Sequence, residues 1–361
     1  MSQQPTRILI VDDSALYRQT LQNTLRTIQD VSVVGIAKNG KDALEKIEQL
    51  DPDLLTLDVQ MPDMDGIAVL HEIKQRRLRP KAIMVSSFTS EGAQITTDAL
   101  LEGAFDFILK PTGGNPNDNR HQLCEQLKQK IAAFQQSGRR SKMRTGLKAS
   151  QDLEDQSGPD RVPAPRTHCD VVLIGISTGG PAALKTVLPK LPGDFSVPVL
   201  VVQHMAAQFT KSLANRLNEM CELKVVEASD GMDVRPGTIF LAPGGYHLSV
   251  KKQGDRIVSA ITTDPPENNC RPAVDYLFRS AAGVWQGNTL GVIMTGMGRD
   301  GVKGCQALKN RGGYVFAQEA DGCVVYGMPK AVIEEGLADR ELPLGKIAPA
   351  MVRHVKRSRR Q

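Results

Sequence analysis

The chain of 361 residues carries a formal net charge of +5, with 40% hydrophobic and 24% charged residues. This is a soluble globular composition, too long for one ordinary hydrophobic core, so two or three domains are expected. No apolar run approaches the ~20 residues that span a bilayer, and no base-reading motif accompanies the basic residues, which argues against a membrane-inserted or nucleic-acid-binding protein.

The opening MSQQPTRILIVDD has no charged segment followed by a long apolar stretch, which predicts a cytoplasmic protein. Residues 6–134 then alternate short apolar runs with amphipathic stretches. RILIVDD, VSVVGIA, LLTLDV, AIMVSS and FDFILKP read as buried parallel strands, with helix patterns such as ALYRQTLQNTLRTI and GKDALEKIEQL between them. Five strands alternating with helices predict a doubly wound α/β domain over 1–134. From 135 to 166 the periodicity stops in a polar, Gly- and Pro-punctuated stretch, read as a flexible linker.

Regular pattern resumes with DVVLIGIS, PVLVVQH, KVVEAS, TIFLAPG, a hairpin around HLSVKKQGDRIVSAITT, TLGVIMTGMG and YVFAQ. This predicts a second α/β domain over 167–350, with a mostly parallel sheet and a β-hairpin. Residues 351–361 read as a basic tail, and Arg139, Arg140, Lys142, Arg144 and Lys148 as a solvated basic run in the linker. Six cysteines (124, 169, 221, 270, 305, 323) are scattered without a CxxC pair and are read as reduced, mostly buried thiols.

A parallel sheet presents its ligand site at the carboxyl edge. In the first domain that edge carries Asp12 and Asp13 after ILIV, Asp58 after LLTL, Ser86 after AIMV, and Lys110 after FDFIL. Three converging carboxylates repel one another unless a hard cation sits among them, and Mg²⁺ suits such a site. Lys110 would hold a phosphoryl oxygen and Ser86 would donate to another. Helix capping accounts for Asp13 or Ser14, but not for the acid at 58, the hydroxyl at 86 and the lysine at 110 on one edge.

In the second domain VVLIGISTGGP places Ser177 on a sharp strand-to-helix turn between glycines. Such a turn exposes the hydroxyl and aims N–H groups, Thr178 among them, at a developing oxyanion. By itself GISTGG reads equally as a phosphate-cradling nucleotide loop. A ribose-binding acid about 20 residues on is not supplied, however, since Asp194 falls in a loop. His204 ends the next strand, VLVVQ, whereas His247 begins the hairpin. TLGVIMTGMGRDG brings Asp300 to the same edge through a Gly-Met-Gly turn, and the Met297 N–H would be a second oxyanion donor. Asp230, Asp233, Asp275 and Asp321 are less well placed, because none directly follows a strand through such a turn. Ser177 would attack an acyl carbon, His204 relay its proton, and Asp300 fix the imidazole.

With these residues in place, 6–130 resembles a response-regulator receiver domain of the flavodoxin-like type, through the DD pair, LLTLDVQMPDMDG, the serine after strand four and the KP dipeptide. The resemblance implies that Asp58 accepts phosphate and that Asp12, Asp13, Asp58 and the Gln60 carbonyl bind Mg²⁺. It also implies that Ser86, Phe107 and Lys110 form the switch. The whole chain resembles the chemotaxis response regulator protein-glutamate methylesterase family, through GISTGG, VVQHM and TGMGRDG, with NNCRPAVDYLF as a further matching segment. That implies hydrolysis of glutamate methyl esters and deamidation of glutamines on chemoreceptors, with a histidine kinase as phosphodonor and no cofactor for the esterase step. It implies too that the receiver blocks the active site until phosphorylated. A transcriptional regulator would need a helix-turn-helix output domain, which the strand-rich second half does not provide.

Overall fold

The computed structural model describes residues 4–87, 89–113, 115–144 and 169–358. The first unit runs β1 (Thr6–Val11), α1 (Ala15–Leu25), β2 (Val31–Ala37), α2 (Gly40–Leu50), β3 (Leu54–Asp58), α3 (Gly66–Gln75), β4 (Lys81–Ser86), α4 (Ser90–Leu101), β5 (Asp106–Leu109) and α5 (Pro116–Arg144). Its five strands are all parallel, in the order β2-β1-β3-β4-β5. Because helices cover both faces, β3 is buried at every residue, which is why it reads as a continuous apolar run. Ser14, Asn39, Asp65 and Thr89 cap α1 to α4, each side chain accepting a first-turn N–H. Ser14 therefore takes the capping role, which leaves Asp13 free for another.

The second unit runs β6 (Val171–Ile176), α6 (Gly180–Val187), a 3-10 turn (Leu188–Lys190), β7 (Val199–Gln203), α7 (Ala207–Met220), β8 (Lys224–Glu227) and β9 (Thr238–Leu241). It continues with β10 (His247–Gln253), β11 (Arg256–Thr262), α8 (Val274–Trp285), β12 (Thr289–Ile293), α9 (Val302–Asn310), β13 (Tyr314–Gln318), α10 (Met328–Glu334), β14 (Arg340–Leu342) and α11 (Leu344–Ser358). Seven of these strands form a parallel sheet ordered β14-β13-β12-β6-β7-β9-β8, and β10 with β11 make a separate antiparallel hairpin. From β6 the chain leaves to one side for β7 and returns on the other with β12. The sheet therefore has a topological switch point at β6, where ligand crevices form.

Two expectations are corrected. The linker was expected from 135, but α5 continues as helix to Arg144, and only 145–166 of that stretch lies outside the described residues. What stops at 135 is the supply of apolar residues, Leu123, Leu127 and Ile131 being the buried face. Arg, Lys and Met remain good helix formers without them. The segment from 351 likewise belongs mostly to α11, which buries Met351 and Val355 and packs the His354 ring against Tyr314 and edge-on to Phe316. None of the six cysteines forms a disulfide among the described residues; Cys169 and Cys305 are buried and the other four half-buried, whereas mostly buried thiols were expected. Among the described residues no helix is long and apolar enough to cross a membrane.

The two units meet along α4. Arg216 on α7 donates to Asp98 at 2.7 Å, and Lys185 on α6 to Glu102 at 2.8 Å. The ring of Phe107 packs against Phe209 with centroids 4.3 Å apart.

Candidate active site

At the carboxyl edge of the first sheet, the carboxylates of Asp12, Asp13 and Asp58 gather with ligand oxygens within 4.8 Å of one another. Lys110 Nζ donates to Asp58 Oδ2 at 2.8 Å and lies 2.9 Å from Asp12 Oδ2. Burial, more than the neighbouring Asp12 charge, pushes Asp58 up to about 6 against the pull of Lys110. Burial also disfavours the Lys110 ammonium, but Asp58 and Asp12 outweigh it and hold the lysine above its ordinary range. Asp12 Oδ2 is buried, with the Lys110 ammonium as its close ion-pair partner. Three carboxylates gathered around a single lysine are a hard-oxygen set that fits Mg²⁺. Ser86 is buried next to this pocket, with its hydroxyl 3.3 Å from the carbonyls of Ser87 and Gly92 rather than turned to Asp58.

In the second unit β12, β6 and β7 are adjacent strands, so the loops leaving their carboxyl ends share one rim. Ser177 leaves β6, with its N–H held by the Thr295 carbonyl at 2.9 Å. Gly179 follows at φ 77, a left-handed conformation that glycine adopts freely. Gly296, after β12, has to be glycine for closeness instead. A Cβ there would stand 2.7 Å from Ser177 Cβ and 2.4 Å from Met328 Sδ. That packing lays the 295–300 turn alongside Ser177. Among the described residues neither the Thr178 nor the Met297 N–H has a hydrogen-bond partner.

His204 directly follows β7, and its Nε2 lies 2.8 Å from Asp300 Oδ2. The Val274 N–H at 2.7 Å and the Asp275 N–H at 3.0 Å also donate to Asp300. These are the first two amides of α8, so the Asp300 carboxylate caps that helix where its dipole favours a negative charge. Burial disfavours the Asp300 anion, but His204 and these N–H groups outweigh it and hold Asp300 below its ordinary range. Burial likewise opposes charge on His204, yet Asp300 and the Cys270 contact together raise the imidazole to about 9. With Nε2 directed at Asp300, the nitrogen left for proton relay is Nδ1. It faces the Cys270 thiol at 3.6 Å, and among the described residues no hydrogen bond joins it to Ser177.

Ser177 and His204 line one cleft with Leu100, Asp106, Phe107 and Lys130 of the first unit. The free space there is about 10 Å³, room for at most one water. Thr178 Oγ1 donates to Asp106 Oδ2 at 2.6 Å, and Lys130 donates to the same oxygen at 2.9 Å.

All three expected triad residues and all three expected carboxylates thus come together in their respective sites. Sequence reasoning marked NNCRPAVDYLF as a matching segment but gave Asn268 and Cys270 no role, and it weighed Asp275 only as a less well placed acid. It missed Gln203, whose Nε2 ties together the Ser177 and His204 carbonyls at 3.0 and 3.1 Å. It missed Asp106 as well. Gln203 was findable as the residue just before His204 on the strand edge, whereas Asp106 belongs to the other unit and carried no signal.

Residues 172–351 match the CheB methylesterase family, and residues 8–120 match the response regulator receiver domain. The protein-glutamate methylesterase/protein-glutamine glutaminase of Desulfotalea psychrophila is 44% identical over 97% of this chain and 98% of its own. The protein of the same name from Symbiobacterium thermophilum is 45% identical over 98% of each. The crystal structure of the Thermotoga maritima CheB methylesterase catalytic domain matches with a TM-score of 0.51 and 46% identity, over 52% of this chain and 99% of that one. The chain therefore belongs to the protein-glutamate methylesterase/protein-glutamine glutaminase family: it is a hydrolase with a receiver domain ahead of its CheB methylesterase domain.

Proposed function

We propose that the chain removes methyl groups from glutamate methyl esters on the cytoplasmic domains of chemoreceptors, and deamidates receptor glutamines, through an acyl-Ser177 intermediate. It does so in the cytoplasm, under control of phosphorylation at Asp58 by a histidine kinase. The observation that carries this reading is the His204–Asp300 pair at 2.8 Å on strand ends adjacent to Ser177, in a cleft capped by the receiver.

The Ser177 hydroxyl attacks the side-chain acyl carbon, and its proton passes to His204 Nδ1. The N–H groups of Thr178 and Met297 donate to the oxyanion, and the imidazolium is held by Asp300. His204 then returns the proton to the leaving methanol or ammonia, and water repeats the sequence to free the glutamate carboxylate. Ester and amide share one acyl-enzyme, so one site serves both substrates.

In the receiver, Asp58 is the nucleophile toward the phosphodonor and Lys110 holds a phosphoryl oxygen. Asp12, Asp13, Asp58 and the Gln60 carbonyl would hold Mg²⁺, which when bound neutralises charge on the phosphoryl oxygens. Ser86 turning from the Gly92 carbonyl toward the new phosphoryl group, with Phe107 leaving Phe209, would loosen the α4–β5 face that covers the cleft.

Methanol release from methylated receptor fragments, with and without acetyl phosphate and Mg²⁺, tests the reading. Asp58→Asn is expected to keep the basal rate and lose the activation. Asp106→Ala, which frees Thr178, is expected to raise the basal rate by about tenfold, the equivalent of one hydrogen bond to a charged group. Full activation of the Asn variant, or an unchanged basal rate in Asp106→Ala, would contradict this account of control.

A further inference from the structure

Beneath the active-site turn, Asp300 and Asp275 are both buried, at 2% and 1% exposure. Neighbouring buried carboxylates drive one another toward protonation unless donors intervene. The Gly301 N–H lies 3.1 Å from Asp300 Oδ1 and 3.0 Å from Asp275 Oδ1, and the Gly304 N–H donates to Asp275 at 2.6 Å. Among the described residues, the side chain that donates to both acids is Asn268. Its Nδ2 lies 2.9 Å from Asp300 Oδ1 and 3.0 Å from Asp275 Oδ2, one amide hydrogen for each.

The backbone is shaped for this. Asn268 and Asn269 have φ 51 and φ 60, a left-handed conformation that asparagine tolerates better than most residues. The amide therefore reaches the acids although the residue as a whole is exposed. The two acids also differ. Burial and the Asp300 charge hold Asp275 above its ordinary range, while Asp300 stays below.

We propose that Asn268 is a positioning residue of the hydrolase, whose amide holds Asp300 ionised and aimed at His204 while sharing its second hydrogen with Asp275. This rests on the serine-hydrolase reading above. The amide places one N–H dipole behind the carboxylate that pairs with the imidazole and a second on Asp275. Without them the site grows more negative, the imidazolium is held more tightly, and Asp300 loses an anchor.

Asn268→Gly in the full chain, assayed with acetyl phosphate and Mg²⁺, is the test, because glycine accepts φ 51 without strain. The expected result is a fall in kcat of about 10- to 100-fold, the rate equivalent of one hydrogen bond to a charged group. KM should be unchanged, and the acid limb of the kcat/KM profile should move to higher pH. The charged and titratable groups around the pair are otherwise the same: Asp300 and Cys270 at the ring, Asp275 beside Asp300, Arg279 in electrostatic reach of both acids, and Asp106 and Lys130 lining the cleft from the receiver. Asn268→Asp, which keeps the shape and adds a carboxylate, should move the limb further in the same direction. An unchanged kcat, or a lost kcat with an unmoved acid limb in both variants, overturns the proposal. Ser177→Ala run alongside separates the two levels. Turnover persisting in that variant removes the serine mechanism itself, whereas its absence beside a fully active Asn268→Gly removes only the role of Asn268.

Discussion

Ser177→Ala is expected to lower methanol release and deamidation together, each by about 10⁴-fold or more, while phosphorylation of Asp58 proceeds as before. On the proposed mechanism both reactions pass through the same acyl-serine, so no alternative nucleophile would rescue one of them. Folding should be unaffected. Ser177 is anchored through its backbone, by the Thr295 carbonyl on its N–H and Gln203 on its own carbonyl, and among the described residues its hydroxyl makes no hydrogen bond. A variant that lost the esterase but kept the glutaminase would split the two reactions between sites and refute a shared mechanism.

Asp300→Asn should cut kcat by about 10⁴-fold, through loss of the group that fixes the imidazole and stabilises its cation. The pH profile supplies a second reading of the same residue. In the native protein His204 is raised to about 9 by Asp300 and Cys270 against the effect of burial. The wild-type kcat/KM should therefore climb with pH from neutrality toward that value, as the imidazole loses its proton and becomes a base. Without the Asp300 charge, burial acts with less opposition, and the acid limb should fall toward or below the ordinary ~6.5 of histidine. An acid limb that stays near 9 in the Asn variant would assign it to some group other than His204.

Much of this was legible in the residues because parallel strands buried on both faces are short apolar runs, and the residue following each run marks the carboxyl edge. That rule placed Asp12, Asp58, Ser86 and Lys110 on one rim, and Ser177, His204 and Asp300 on another. It failed where apolar patterning is weak. The three-residue β14 was not foreseen, and the polar end of α5 read as linker although it is helical. α11 was hidden differently, because its many basic residues masked an apolar face of Ile347, Met351 and Val355. Asn268 and Cys270 reach the site from an irregular segment before α8, held by positive φ angles rather than by periodicity. Asp106 reaches it from the other domain, and no local pattern encodes which face of a receiver meets a partner domain.

The proposed activity requires a serine made nucleophilic by His204 and Asp300 and covered by the receiver. Peptide mapping of the chain after reaction with a serine-directed phosphonate probe measures both features at once. The adduct should form on Ser177 alone, slowly in the protein as isolated and faster once acetyl phosphate and Mg²⁺ are added, with no acceleration in Asp58→Asn. An adduct on another residue, or labelling of Ser177 at a rate indifferent to the phosphodonor, would contradict it.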